Sequence, residues 1–346
     1  MNFASDNVVG AAPEILAAIV AANEGSLSSY GDDPVTTRMT ARFDAIFERK
    51  VAAFPVGTGT AANALALAAL TPPHSAIFCH AKAHIQDGEC GAPEFYTGGA
   101  KLLTLPGEDG KIAAATLQRA IAEAGVGSSG GVPVAAVSIT QASEAGTLYS
   151  PAEIRAIAEI AHRNGLSLHM DGARFANAVA ALGLSPAEIT WRVGVDVLSF
   201  GATKNGAMGA EAVVFFEPAR GSELPYRRKR AGHLFSKQRF LAAQLEAYLT
   251  GDLWLRNARH ANRQAARLAG GLRALPGFSL RYPAEANIVH VEMPEPAIRR
   301  LQEAGAVFHR RGGPDSRLVR LVTAFDTRPE DVERFIEIAG VASVAR

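Results

Sequence analysis

Apolar residues follow two different spacings along the first 216 residues of the chain. In the segment 36–50 they recur about every 3.6 positions, which places Met39, Phe43 and Phe47 on one face of a helix. We expect Thr36 to cap this helix. Short apolar runs between such segments predict strands at Val51–Val56, Ala76–Cys79, Lys101–Leu105, Val134–Ile139, Ser167–Met170, Val195–Phe200 and Ala212–Phe216. This alternation predicts an α/β fold with a largely parallel sheet.

The alternation stops near Tyr226. Two long helical segments follow at Gln238–Leu249 and Leu253–Leu275, and the second is long enough to connect two domains. The remainder mixes short strands and helices, near Ile288–Val291, Glu295–Glu303, Leu318–Val322 and Pro329–Ala339. We therefore expect a large α/β domain with an N-terminal arm over 1–240 and a small C-terminal α+β domain over 241–346.

The composition is that of a globular protein and excludes several classes of function. Of the 346 residues 48% are hydrophobic and 20% are charged, and the formal net charge is +1. This balance gives no field that would recruit nucleic acid or an acidic membrane. Apolar stretches end before about 18 residues and no signal peptide is visible, so we expect a cytoplasmic protein. Cys79 and Cys90 fit no zinc spacing, and no metal is expected.

A glycine-rich turn between a strand and a helix is the first candidate for chemistry. The run Gly57-Thr58-Gly59-Thr60 precedes a helix predicted over Ala61–Leu70. The first N–H groups of a helix have no internal partner, and the helix dipole favours negative charge there. The run therefore predicts a phosphate site, although a simple capped turn would use the same residues.

The same run matches the dinucleotide pattern G-x-G-x-x-A, so a nicotinamide enzyme is an alternative. That pattern requires an Asp or Glu about 20 residues further on, at the end of the next strand. Here the next strand is followed by His80, and Asp87 lies well beyond it. No Lys follows the glycines, so the run is not a Walker loop. A single small phosphate group fits better than either nucleotide.

Two further strand ends carry reactive side chains. Asp171 ends one apolar strand, in the region where open α/β sheets bind ligands. Asp171 and Arg174 are three residues apart on the first helical turn that follows, and they could be merely an exposed ion pair that contributes little to stability. Lys204 follows another strand among glycines, where desolvation would make its amine a nucleophile, although most lysines are surface groups. A phosphate cradle, a carboxylate and a lysine are together what pyridoxal 5′-phosphate requires.

A set of motifs from the N-terminus to Asp326 carries a resemblance to a known family. They are FASDN, YGDDP, GTGTAAN, AHIQDGECGAPEF, LHMDGARFANA, FGATKNG and RLVTAFD. The chain resembles the fold-type-I pyridoxal-phosphate enzymes and, within them, the low-specificity L-threonine aldolases. The resemblance implies an aspartate-aminotransferase-like fold and retro-aldol cleavage of L-threonine, L-allo-threonine or phenylserine to glycine and an aldehyde. It also implies a homodimer or homotetramer with active sites at the subunit interface.

The resemblance implies a cofactor role for each matching residue. Lys204 would form the Schiff base, Asp171 would pair with the pyridine nitrogen, and Arg174 would contact the region of the ring hydroxyl. His84 would stack on the cofactor and lie near the substrate hydroxyl, where it is the candidate base. The phosphate would be held by Gly59 and Thr60, with Thr58 or Gly57, and by Lys229 of a neighbouring subunit.

The substrate side is also implied by the resemblance. Ser5 and Arg320 would hold the substrate carboxylate, and a neighbouring subunit would donate Tyr30. Arg320 alternates with apolar residues in a strand, so a solvent-facing arginine is the alternative. Many relatives carry Glu-Asn-Thr-His-Asn after the central strand, and this chain places Glu144 where they have a second histidine. The acceptor of the β-hydroxyl proton therefore stays open.

Other functions remain open at this point. The same lysine and aspartate serve transamination, racemisation and β-elimination, and the fold alone does not choose between them. The protein could also be a non-catalytic binding module, but the presence of Lys204, Asp171 and His84 argues against this. The basic run 227–230 could be a nucleic-acid patch, but charges without interleaved aromatic residues are typical of a solvated helix face.

Overall fold

A computed structural model describes residues 1–124 and 130–344 of the chain. Its helices are α1 (Pro13–Ala21), α2 (Pro34–Ile46), α3 (Gly59–Leu70), α4 (His84–Asp87), α5 (Ala92–Thr97), α6 (Ala114–Glu123), α7 (Pro151–Arg163), α8 (Phe175–Leu182), α9 (Leu224–Arg230), α10 (Arg239–Tyr248), α11 (Leu253–Arg273), α12 (Glu295–Glu303) and α13 (Pro329–Val344). Its strands are β1 (Ala52–Val56), β2 (Ala76–His80), β3 (Lys101–Leu105), β4 (Val134–Thr140), β5 (Ser167–Gly172), β6 (Val197–Gly201), β7 (Glu211–Phe215), β8 (Ser279–Leu280), β9 (Ile288–Glu292), β10 (His309–Arg310) and β11 (Leu318–Val322). Across the two described ranges, no helix is long and apolar enough to cross a membrane. The cytoplasmic location stays a prediction.

The first seven strands form one sheet in the order β1-β7-β6-β5-β4-β2-β3. Strands β2 to β6 are parallel, and β7 is antiparallel to both of its neighbours. Since β1 and β6 both oppose β7, they share one direction. The carboxyl ends of β1, β5 and β6, at Val56, Gly172 and Gly201, therefore lie at one edge, which we call the carboxyl edge. The predicted α/β fold with a largely parallel sheet is confirmed.

A buried aromatic cluster fixes the elements that carry this edge. The ring of Phe200 on β6 packs edge to face on Phe43 of α2, with centroids 5.1 Å apart. Phe175, which begins α8, and Trp254 of α11 lie 5.9 and 6.0 Å from Phe200. All four side chains are buried. Burial of each such side chain contributes about 1.5–3 kcal/mol, so β6 and α8 are held firmly against the helices.

The cap of α2 differs from the prediction. Asp33, rather than Thr36, is the N-cap residue, and its carboxylate accepts hydrogen bonds from the Thr36 N–H at 2.9 Å and the Thr36 hydroxyl at 2.8 Å. Pro34 occupies the first helical position, where a missing N–H has no consequence. The predicted cap was wrong because apolar periodicity does not show that the helix begins at this proline.

A second, four-stranded antiparallel sheet has the order β10-β11-β9-β8. The helix α11 joins it to the large sheet: Leu253 lies in the core of the large sheet, and Leu268 lies in that of the small one. The preceding helix α10 buries Leu245 in the large core. The division into 1–240 and 241–346 stays a prediction, and α11 is the element that spans both cores.

Two short helices near the carboxyl edge were not predicted. The helix α4 begins at His84, and α5 follows Gly91, whose φ of 74° is favourable for glycine. Elements of four and six residues are too short to show helical periodicity in the sequence. They matter here because they position the imidazole of His84.

Candidate active site

The phosphate candidate lies where β1 passes into α3. Thr58 is the N-cap of α3, and its Oγ accepts a hydrogen bond from the N–H of Ala61 at 3.1 Å. Because α3 begins at Gly59, the N–H groups of Gly59 and Thr60 have no partner within the helix. A Cβ on Gly59 would meet no atom within 4 Å, so open space lies beside these donors. This helix N-terminus can therefore accept an anion.

The Asp171 carboxylate is held at the end of β5. The residue is 2% exposed and lies in the strand rather than on a helical turn. Its Oδ2 accepts a hydrogen bond from Asn63 Nδ2 at 3.0 Å, and its Oδ1 accepts one from the N–H of Ala173 at 3.0 Å. Since Asn63 belongs to α3, the carboxylate and the phosphate candidate are tied to one helix. A desolvated carboxylate in a fixed orientation is a strong partner for a protonated ring nitrogen.

His84 and Glu89 form a hydrogen-bonded pair on the other side of Asn63. Glu89 Oε1 lies 2.8 Å from His84 Nδ1 and accepts a second hydrogen bond from Asn63 Nδ2 at 2.8 Å. The hydrogen bond to Glu89 raises the pKa of His84, and burial opposes the rise. A Cβ on Gly88 would lie 2.8 Å from His84 Nε2, so glycine leaves room for the ring. The imidazole is 37% exposed and is available for proton transfer.

Lys204 lies in a 3₁₀ turn that follows β6, and it is half-buried. The next residue anchors this turn: Asn205 Nδ2 donates to the hydroxyl of Tyr248 at 2.7 Å and to the carbonyl of Trp254 at 2.8 Å. Asn257 Nδ2 in turn donates to the Asn205 carbonyl at 2.9 Å. The lysine is thus carried at the carboxyl edge by a turn whose backbone is fixed by buried polar groups.

Arg174 does not form the exposed ion pair with Asp171 that was one alternative. Its side chain is buried, and its Nε and Nη2 donate to the two carboxylate oxygens of Asp6 at 2.7 and 2.9 Å. Asn287 Nδ2 donates to the same carboxylate at 3.0 Å. Although burial would raise the pKa of Asp6, the charges of Arg174 and Lys204 hold it below the ordinary value. The N-terminal arm therefore reaches into the site through Asp6.

Arg320 on β11 is buried, so the alternative of a solvent-facing arginine is wrong. It is 7% exposed, its Nη1 donates to the carbonyl of Ala4 at 3.4 Å, and burial lowers its pKa to about 10. Within the described ranges its buried Nε has no hydrogen-bond partner. Ser5 is the next residue of the arm, and its Oγ accepts from the N–H of Asn7 at 3.1 Å. A buried guanidinium with a free donor suits a carboxylate ligand.

Glu144 lies among the charged groups of this site. Its carboxylate is 3.9 Å from Arg174 Nη1. Burial would raise the pKa of Glu144, but the positive charges of Arg174, Lys204 and Arg320 hold it below the ordinary value. The residue predicted to replace a second histidine is thus an anion close to the candidate lysine and arginines.

Tyr30 and Lys229 lie together in an exposed patch. Lys229 Nζ is 4.4 Å from the centroid of the Tyr30 ring, and the Tyr30 N–H donates to the carbonyl of Ser236 at 2.9 Å. The adjacent Phe235 packs closely on Gly57: a Cβ added to this glycine would lie 3.1 Å from the Phe235 ring. Within 1–124 and 130–344, no hydrogen bond or ion pair joins this patch to Asp171. The patch borders the phosphate candidate from outside.

Three residues of the site were missed by the sequence analysis. Asn63 and Asp6 make hydrogen bonds to partners 26 to 168 positions away, whereas Glu89 also bonds to His84, five positions before it. Each of the three lies inside one of the motifs that carry the resemblance, but spacing along the sequence does not by itself identify its partners. The available signal was that they lie within the motifs GTGTAAN, AHIQDGECGAPEF and FASDN.

The fold and the site define a class of enzyme. The carboxyl edge combines an open helix N-terminus, a buried carboxylate and an amine, and these fit the phosphate, the ring nitrogen and the aldehyde of pyridoxal 5′-phosphate. The buried Nε of Arg320 leaves a donor for a further anion. This is the architecture of a fold-type-I pyridoxal-phosphate enzyme.

Comparison with known proteins gives the family. A family model described as Beta-eliminating lyase matches residues 2–294. A low specificity L-threonine aldolase of Pseudomonas aeruginosa is 46% identical over 338 residues, which cover 98% of this chain and 96% of that protein. The low specificity L-threonine aldolase of a Pseudomonas sp. is 44% identical over 308 residues, 89% of this chain and 88% of that protein. The structure of Leishmania major threonine aldolase superposes with a TM-score of 0.91 at 28% identity, and 98% of each chain is covered.

The chain belongs to the beta-eliminating lyase family, as the full-length similarity to threonine aldolases shows. Members of this family are pyridoxal-phosphate-dependent lyases of fold type I. The predicted family and enzyme class are therefore confirmed. The roles of individual site residues stay predictions.

The pair of His84 and Glu89 leads to a prediction for proton binding. In E89Q the carboxylate that stabilises the imidazolium is lost, so the pKa of His84 should fall. An NMR pH titration of the imidazole would measure it. D87N, an exposed change on the same helix, is the matched control and should leave the titration of His84 close to that of the wild type. An unchanged titration in E89Q would contradict the assigned hydrogen bond.

Proposed function

We propose that this protein uses pyridoxal 5′-phosphate to cleave L-threonine, L-allo-threonine and other L-β-hydroxy-α-amino acids, such as phenylserine, to glycine and an aldehyde. The observation that carries the proposal is the buried Asp171, fixed by Asn63 at the carboxyl edge one strand away from Lys204. The names of the two Pseudomonas relatives support the choice of reaction on this scaffold.

The cofactor would be held by groups on four segments, which are the start of α3, the end of β5, the residue before α8 and the turn after β6. The N–H groups of Gly59 and Thr60, with the cap Thr58, would bind its phosphate. Asp171 would keep its ring nitrogen protonated, and Lys204 would receive its aldehyde carbon. When bound, the ring supplies an acceptor for the electrons of the bond that breaks at Cα. Arg174 donates to Asp6 through Nε and Nη2, and its Nη1, which lies 3.9 Å from the Glu144 carboxylate, would be the donor to the ring hydroxyl.

The substrate carboxylate would bind between Ser5 and Arg320. The guanidinium is already desolvated and has an unpartnered Nε, so a carboxylate would satisfy a donor that protein groups leave free. Holding the carboxylate on one side of the site would select which bond at Cα breaks. Orientation of this kind is worth up to about 7–11 kcal/mol of a reaction barrier.

The β-hydroxyl proton would be taken by His84. Its Nδ1 is bonded to Glu89, so Nε2 is the nitrogen that would accept the proton, directly or through water. General-base assistance contributes roughly 10²–10⁴-fold. Glu144 lies in the same group of charges and would be a second polar group near the substrate. Since the hydrogen bond to Glu89 raises the pKa of His84, its neutral base form should become dominant at a higher pH than that of an unperturbed histidine.

Aldehyde release tests this assignment. The native protein should release aldehyde from L-threonine, L-allo-threonine and L-phenylserine without forming a keto acid. D171N should lose at least about 10²-fold in kcat, because the ring nitrogen is no longer held protonated, while its circular dichroism stays native. D32N, an exposed aspartate, is the matched control. Near-normal turnover of D171N would refute its role, and keto acid instead of aldehyde would point to transamination.

We also propose that the protein is a homo-oligomer, a dimer or tetramer, with active sites at the subunit interface. The exposed patch of Tyr30, Lys229 and Phe235 borders Gly57, and Met208 near Lys204 is also exposed. Exposed aromatic side chains of this kind favour a protein interface. A two-fold axis would place this patch against the site of the partner, where Lys229 could reach the phosphate.

Hybrid oligomers test whether Lys229 acts across the interface. K204A and K229A should each be impaired at limiting cofactor. In a random mixture of the two variants, half of the dimers are hybrids with one intact site, so about a quarter of the wild-type activity should return. No recovery above the separate variants would show that Lys229 serves its own subunit.

A further inference from the structure

Asn63 is the only polar side chain in the segment 61–70 of α3, where all the other residues are alanine or leucine. The residue is 2% exposed. A buried amide costs free energy unless it is hydrogen-bonded, and asparagine is a poorer helix former than alanine. Neither burial nor helix propensity therefore accounts for an asparagine at this position, and its hydrogen bonds are what it contributes.

The amide nitrogen of Asn63 joins two carboxylates from different parts of the chain. Its Nδ2 donates to Asp171 Oδ2 at 3.0 Å and to Glu89 Oε1 at 2.8 Å. A side-chain amide has two N–H groups, so both are in use. Glu89 Oε1 also lies 2.8 Å from Nδ1 of His84. Asp171, Asn63, Glu89 and His84 thus form one continuous series of hydrogen bonds, which we call the Asn63 bridge.

The Glu89 carboxylate is held through a single oxygen. Glu89 is 4% exposed, and among the described residues its buried Oε2 has no hydrogen-bond partner. In that part of the chain, the hydrogen bonds of this side chain therefore all involve Oε1, which Asn63 and His84 share. Without the Asn63 donor, a buried carboxylate would depend on His84 alone, and unsatisfied buried acceptors are costly.

The sharing of one oxygen affects how tightly a proton is held on His84. A hydrogen bond from Asn63 stabilises the charged form of Glu89, so the carboxylate competes less strongly for the proton on His84 Nδ1. Asn63 therefore limits the rise in the pKa of His84 that the hydrogen bond to Glu89 causes. Three further charged side chains face this imidazole from other segments: Asp171, Glu144 and Lys204.

The helix that carries Asn63 also carries the phosphate candidate. Gly59, the first residue of α3, is four positions before Asn63, so the two residues lie on one face of the helix and one turn apart. The helix α3 therefore fixes the phosphate candidate and the Asn63 bridge relative to each other.

We propose that Asn63 is a positioning residue, whose amide holds the carboxylates of Asp171 and Glu89 in one arrangement and through Glu89 orients His84 and limits its hold on a proton. Asn63 acts through these partners: Asp171 is the group for the ring nitrogen, and His84 is the candidate base. The inference rests on the proposed function for these two roles.

An NMR pH titration of His84 in the full-length, cofactor-free protein tests the proposal. N63L keeps a side chain of similar shape and removes both donors, so the pKa of His84 should rise by about half a unit or more. N63A removes the same donors with a residue that favours the helix, and it serves if N63L does not fold. N23L, the same change at an exposed asparagine, is the matched control and should titrate like the wild type. A pKa of His84 that is unchanged or lower in N63L and N63A would overturn the proposal.

A double substitution tests whether Asn63 acts on His84 through Glu89. In E89Q the shared carboxylate is absent, so adding N63L should move the pKa of His84 by much less than N63L does in the wild type. A shift of the same size in both backgrounds would overturn the proposed route through Glu89.

Aldehyde release gives a readout for the reaction itself. N63L should lose about tenfold or more in kcat, and its activity should rise with pH at higher values than in the wild type, in step with the pKa of His84. A merely structural role would lower the activity by the same factor at every pH, and that result would overturn the proposal. If the wild type releases no aldehyde, the proposed function fails, whereas the titration of His84 still decides whether Asn63 acts through Glu89.

Discussion

The exclusion of water from carboxylates at one edge of the sheet is the constraint on which the rest of the site depends. Asp171, Asp6, Glu89 and Glu211 are all buried there. A buried charge that loses its partner costs several kcal/mol, so each carboxylate must find donors within the fold. Those donors come from α3, from α4, from the residues between β5 and α8, and from the residue that follows β6. The site can therefore exist only when these distant segments are packed together.

The two buried arginines of the site differ in their hydrogen-bond partners. Arg174 is committed to Asp6 by two hydrogen bonds, whereas the equally buried Arg320 keeps an unpartnered Nε. The pair of Arg174 and Asp6 attaches the N-terminal arm to the large sheet, whereas Arg320 keeps a donor free for the carboxylate of a ligand. Lys204 is an amine on a turn that is anchored by Asn205. This difference between the two arginines leaves an unpartnered donor on Arg320 although several acidic side chains of the site are buried.

The elements that carry the site could be predicted from the sequence, but most of its internal contacts could not. The apolar runs before Asp171 and Lys204 are long enough to identify β5 and β6, and parallel pairing places their carboxyl ends together. The bond between Arg174 and Asp6 joins positions 168 residues apart, and no local pattern encodes it. Glu211 could not be identified for a different reason: it lies at the carboxyl edge only because β7 is antiparallel to both of its neighbours. A largely parallel alternation does not reveal which strand is reversed.

The central claim is that Lys204 is the amine that receives a carbonyl ligand at the carboxyl edge. The most direct test is to incubate the full-length protein with pyridoxal 5′-phosphate, reduce it with borohydride, and locate the added mass by peptide mapping. The account predicts a single pyridoxyl group on Lys204 and none in K204A. Modification spread over surface lysines, or a colourless protein that takes up none, would contradict it.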